Sequence, residues 1–177
     1  MRRPRKAQTL RPIVNDLLRA CDVSEVPVPV EVIAEHLGAR VAYARYKGEL
    51  AGVLMRRDNG PAVIGVNSAH HINRQRFTIA HECGHLCLHK GKDVYVDRSF
   101  RMSVSNRDKR SAQAIDPEEI EANRFAAELL MPLDRLLDDI SEFDIEDDKA
   151  LKELADRYAV SVQALTHRIN NLLENVM

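Results

Sequence analysis

Apolar residues recur along this chain with two different periods. Ile13, Val14, Leu17 and Leu18 fall on one side of a helical turn and predict a short helix over 12–18. Val26-Pro27-Val28-Pro29 cannot continue it and predicts extended backbone. A second short helix runs through Val32, Ile33 and Leu37 and stops at Gly38. From Ala39 the period changes. Val41, Tyr43 and Tyr46 lead to Gly48, residues 52–55 lead to Asp58-Asn59-Gly60, and residues 62–66 end at Asn67. Three short strands separated by turn residues predict a small antiparallel meander. Helical periodicity returns over about 73–89, 117–131, 148–158 and 161–173. The whole predicts an α+β fold, a three-stranded antiparallel sheet packed on a helical core, with a C-terminal helix-turn-helix-like pair. The connection at 91–116 is rich in Ser and Arg and too long for an ordinary loop, so a functional or mobile segment is expected there.

Composition narrows the function classes. At 177 residues with 45% hydrophobic and 30% charged residues, the chain has ordinary globular content. Lys plus Arg is 26 against Asp plus Glu 27, a net charge of -1, which argues against coating DNA through charge. No apolar run is long enough for a membrane span, and three cysteines imply no disulfide framework, so a cytoplasmic protein with no membrane partner is expected. Arg2, Arg3, Arg5, Lys6 and Arg11 make residues 1–11 a basic arm with little to bury, expected to be solvated.

The candidate chemistry lies on the helix at 73–89. His81 and His85 are four residues apart and therefore share one helix face, where two imidazoles can take two corners of a tetrahedral zinc site. Glu82 projects about 100° round, towards an attacking water rather than the ion, as a general base requires. Composition alone yields a chance H-E-x-x-H about 0.02 times in a chain like this one. Two hydrogen-bonded core histidines are the bland alternative. His89 continues the stripe, but one straight helix cannot bring a third turn to the same ion, so it is expected behind the ligands or at the surface. Position 91 is Gly, which excludes the third histidine of the longer metzincin motif. Cys83 and Cys87 fall on the other side of the helix and are expected to pack in the core.

A third ligand is sought on the helix at 117–131, which Asp116 caps, Pro117 opens and Pro132 closes. A helical wheel sets Glu119 in an apolar stripe with Ala122, Ala126 and Leu130, where a carboxylate is costly unless it binds a cation. The same wheel puts Glu121, Arg124 and Glu128 on the solvent face. A capping box, with Glu119 reaching back to Asp116, is the alternative use of that residue.

Residues 76–89 (RFTIAHECGHLCLH) and 119–132 (EIEANRFAAELLMP) together resemble the ImmA/IrrE family of metallo-endopeptidases. The likeness extends more loosely over about 12–173. It implies a zinc protease that cuts a helix-turn-helix repressor and so relieves repression. It matches His81, His85 and Glu119 to the metal ligands and Glu82 to the catalytic acid/base. Cys83 stands where an aliphatic residue is more usual. The organisation expected is a basic arm (1–11), a zinc metallopeptidase domain (12–132), an acidic linker (133–147) and a helix pair (148–177). In that pair Ser161 caps a second helix offering Gln163, Thr166, His167, Arg168, Asn170 and Asn171 outward. With eight acids over 134–148 beside it, a packing or partner-binding role is favoured over DNA reading. Zinc is the expected ion and manganese the alternative. The basic residues Arg98, Arg101, Arg107, Lys109 and Arg110 are read as a solvated loop or a substrate-binding flap. The rival function is a non-cleaving, zinc-containing regulatory protein that binds DNA or a repressor, a toxin–antitoxin component being one form of it.

Overall fold

The computed structural model of the chain describes residues 3–47, 50–89, 94–97 and 116–174, the stretch 94–97 through its backbone. Helix α1 (Ala7–Ala20) starts at Ala7 rather than at Pro12, and Pro12 lies inside it. The proline removes one backbone hydrogen bond, but Leu10, Val14, Leu17 and Leu18 are all buried along one stripe and outweigh that loss. Leu10 thereby draws the last residues of the expected solvated arm into the fold. Helix α2 (Val30–His36) buries Val30, Ile33 and Ala34, and the chain leaves it through Gly38 at φ +78°.

The sheet contains β1 (Ala39–Ala44), β2 (Gly52–Met55), β3 (Ala62–Asn67) and β4 (Val94–Asp97), in the order β1-β3-β2-β4. Strand β1 runs parallel to β3, while β2 is antiparallel to both β3 and β4. The α+β class holds, but the expected three-stranded antiparallel meander is a four-stranded mixed sheet. The physical reason lies in β3. Ile64, Gly65, Val66 and Asn67 are all buried, so this strand takes an inner position between β1 and β2, which are therefore not neighbours. Asn67, buried at the end of β3, secures the crossover between β1 and β2. Its amide donates to Leu50 O at 2.8 Å and to Tyr46 O at 3.3 Å, and its Oδ1 accepts from the Tyr46 and Ala69 N–H groups. Strand β4 falls within the segment expected to be a connection.

Helix α3 (Ile72–Leu88) follows β3, with His71 Nδ1 accepting from Asn73 N–H at its start. Residues 78–85 are buried without a break. Helix α4 (Pro117–Leu130) opens as its sequence suggests, with the Asp116 carboxylate accepting from Glu118 N–H at 2.9 Å and Pro117 in the first turn. The two helices meet at Gly84. A Cβ there would stand 3.0 Å from Ala122 Cα and 3.2 Å from Phe125 Cδ1, so only glycine allows this approach without a shift of backbone.

Three further helices complete the described residues: α5 (Leu133–Glu142), α6 (Asp148–Arg157) and α7 (Val162–Glu174). Helix α5 corrects the expected acidic linker at 133–147. Leu133, Leu136, Leu137 and Ile140 keep helical spacing among the acids, and Leu136 is fully buried. Asp139 is drawn inside with it, bonded by Tyr158 Oη at 2.7 Å and by Arg157 at 3.0 Å. Ser161 caps α7 as expected, its Oγ accepting from Ala164 N–H at 3.1 Å. Arg168 does not point outward. It is 5% exposed and donates to Glu128 Oε2 at 2.7 Å and Met131 O at 3.2 Å. The helix pair also shares the core of the rest, since Leu154 and Leu165 join the cluster holding Leu10, Ile79, Phe125 and Leu129. No helix among the described residues is long and apolar enough to cross a membrane.

Removing Arg168 leaves the fully buried Glu128 with only the longer contact to the part-exposed Arg11 at 3.4 Å. Arg168→Leu is therefore expected to destabilise the fold by about 3–5 kcal/mol, and Arg168→Leu with Glu128→Leu by markedly less. Denaturant unfolding of both variants checks this; equal losses would show that the ion pair does not hold the tail.

Candidate metal centre

Helix α3 presents His81 and His85 from successive turns, and the first turn of α4 brings Glu119 to them across the Gly84 contact. The two Nε2 atoms lie 3.0 Å apart. Glu119 Oε2 is 3.3 Å from His81 Nε2, and its Oε1 is 3.4 Å from His85 Nε2. A tetrahedral zinc ion with ligand bonds of 2.0–2.1 Å separates its ligands by roughly 3.3 Å. The three donors thus surround a point at the spacing that a metal ion needs. These three residues also form a cluster whose ligand atoms all lie within 4.8 Å of one another. Two imidazole nitrogens this close beside a carboxylate are a donor set that one cation can bind together.

Both rings are turned so that Nε2 faces inward. His81 Nδ1–H donates to Asn123 Oδ1 at 2.9 Å, and His85 Nδ1 meets His89 Nδ1 at 2.9 Å. Burial, helped by the neighbouring His81 and His89, lowers the His85 pKa although the Glu119 carboxylate pulls it up, which favours the neutral ring that binds metals. Burial alone would raise the Glu119 pKa. Hydrogen bonds with His81 and His85 outweigh it and hold this carboxyl well below the usual range.

Glu82 is fully buried on the same helix. Strand β2 passes close over it because position 52 is glycine. A Cβ on Gly52 would collide with Thr78 Cγ2 and would stand 3.7 Å from Glu82 Oε1. Cys83 is buried in the core, and Cys87 is held as a thiol, its pKa raised by burial to about 11. Neither belongs to the ligand cluster.

The wheel reading of α4 needs correction. Glu119 is not enclosed; its side chain is 44% exposed at the open end of the helix. Glu121 and Glu128, expected on the solvent face, are the buried ones. Their counter-charges come from elsewhere in the chain: Arg5 lies 3.1 Å from Glu121, and Arg11 and Arg168 lie 3.4 Å and 2.7 Å from Glu128. The capping-box alternative is not used by Glu119, whose carboxylate lies on the histidines. The sequence signal for Asn123 is its spacing: it follows Glu119 by one helical turn and so shares its face. The basic residues at 98–110 lie outside the described residues.

Glu119→Gln is expected to weaken zinc binding by more than about 100-fold, a larger loss than changes behind the ligands produce. Gly84→Val, which pushes α4 off α3, should lower both zinc affinity and stability, the latter by about 1–3 kcal/mol. Chelator competition and thermal unfolding measure the two. Full zinc affinity in Gly84→Val would show that the helix contact does not set the site.

Over residues 34–170 the chain matches the family model described as peptidase M78, the IrrE N-terminal-like domain. No curated protein matches the chain.

Proposed function

Because this chain belongs to the peptidase M78 family through its IrrE N-terminal-like domain, we propose that it is a zinc-dependent endopeptidase in which His81, His85 and Glu119 hold the ion and Glu82 moves the proton. Family membership gives the metallopeptidase class. The ion, the catalytic assignment and the substrate are our reading. The observation that carries it is the convergence of two Nε2 atoms and one carboxylate at metal-ligand spacing, one residue from a buried glutamate. Two imidazoles and a carboxylate suit zinc, with manganese as the alternative.

Zinc bound there supplies Lewis-acid polarisation of a peptide carbonyl and acidifies a water. The chain's own part is proton management. Glu82 takes the proton of the attacking water as the C–O bond forms, then passes it to the amide nitrogen as the C–N bond breaks. Asn123 holds the His81 ring in the orientation this requires, through its bond to Nδ1.

The substrate we propose is a helix-turn-helix transcriptional repressor, whose cleavage relieves repression. The support is the resemblance of residues 76–89 and 119–132 to proteases of that kind. The rival reading is a non-cleaving regulatory protein that binds DNA or a repressor. One observation weighs against its DNA form: α7 has Arg168 as its single Arg or Lys, and that residue is engaged with Glu128.

The test pairs zinc-loaded wild type with Glu82→Gln, offering each a helix-turn-helix repressor from the same genome. Wild type should cut it. The variant should keep its zinc and its melting temperature while cutting about 10²–10⁴-fold more slowly. Equal rates would remove Glu82 from the mechanism, and a tight complex without cleavage by wild type would favour the binding protein.

A further inference from the structure

Behind the metal centre a line of polar side chains runs from His85 to the N-terminal segment. His85 Nδ1 faces His89 Nδ1 at 2.9 Å, and His89 Nε2 faces Glu121 Oε2 at 3.2 Å. Glu121 in turn accepts from the Arg5 backbone N–H at 2.8 Å through Oε1 and from Arg5 Nη1 at 3.1 Å through Oε2. Arg124 closes the arrangement by donating to Arg5 O at 2.6 Å. His85, His89 and Glu121 are all nearly or fully buried. A core that merely fills space places apolar groups here.

The protons along this line have one consistent arrangement. A ring nitrogen that binds a metal must offer its lone pair, so His85 with Nε2 in the ligand cluster carries its proton on Nδ1. Two Nδ1 atoms at 2.9 Å need one donor and one acceptor, hence His89 Nδ1 accepts. A neutral His89 ring then keeps its proton on Nε2, the atom that faces the Glu121 carboxylate. Each bond thus dictates the direction of the next, from the guanidinium to the ligand.

We propose that His89, Glu121 and Arg5 are positioning residues that fix the tautomer and orientation of His85, so that the N-terminal segment sets the affinity of the metal centre. The proposal rests on the metal-centre reading given above. It makes Glu121, two residues beyond the ligand Glu119, a support of the opposite ligand. It also ties the beginning of the chain to residues 116 positions away in sequence.

Three measurements on the full-length protein decide it. Zinc affinity by chelator competition should fall about 10–100-fold in Glu121→Ala and in His89→Leu. His89→Asn should recover part of the loss, because its Oδ1 occupies the place of Nδ1 and can accept from His85. Arg5→Ala, which keeps its backbone bond to Glu121, should lose less than Glu121→Ala. In parallel, long-range proton–nitrogen NMR of zinc-loaded wild type labelled at histidine should find the His85 proton on Nδ1 and the His89 proton on Nε2; this needs no variant to fold. A His89 proton on Nδ1 overturns the proposal. So does wild-type affinity in both Glu121→Ala and His89→Leu when His81→Ala has lost the zinc. A wild type that takes up no zinc, or a His81→Ala chain that binds as wild type does, overturns the metal-centre reading and this proposal with it.

Discussion

The candidate site exists because α3 and α4 come closer than two ordinary helices can. Gly84 against Ala122 removes the side chains that would hold the backbones apart, and the gap that remains is the reach of one glutamate. Glu119 spans it to both histidines. Every other feature of the site is fitted round this approach. Asp116 and Pro117 start α4 where Glu119 must lie in its first turn, and Gly52 lets β2 pass over Glu82 on the neighbouring side of α3.

Such close packing has an electrostatic cost that the rest of the chain offsets. Helix α4 buries Glu121 and Glu128, and a buried carboxylate without a partner is strongly unfavourable. Arginines from both ends of the described chain supply the partners, Arg5 and Arg11 on one side and Arg168 on the other. The tail pair is therefore part of the same packed unit as the candidate site, sharing its core through Leu154 and Leu165.

What was legible in the sequence was whatever depends on local spacing. The turn-apart histidines, the Asp116 and Ser161 caps and the extents of α3, α4, α6 and α7 need only neighbours along the chain. What was hidden depends on distant partners. A helical wheel weighs Glu121 and Glu128 by their own helix alone, and so reads as solvent-facing two residues whose arginines come from elsewhere. The parallel pairing of β1 with β3 was equally invisible, since three apolar runs in sequence do not say which one lies in the middle. In α5 the acids masked a leucine stripe of ordinary helical period. His89 illustrates both sides: its exclusion from the ligand set followed from helix geometry, whereas its hydrogen bonds required knowing where Glu121 turns.

The charge arrangement on α4 also bears on how the molecule is assembled. Synthesis proceeds from the N-terminus, so Arg5 and Arg11 leave the ribosome long before α4 exists, and Arg168 leaves it long after. A nascent chain that has just completed both histidines and Glu119 still holds Glu128 without its closest cation, and has neither Leu154 nor Leu165 to close the core. Helix α4 therefore gains its closest buried ion pair only when α7 follows. The charge balance of α4 is in this way completed later in synthesis than the helix itself.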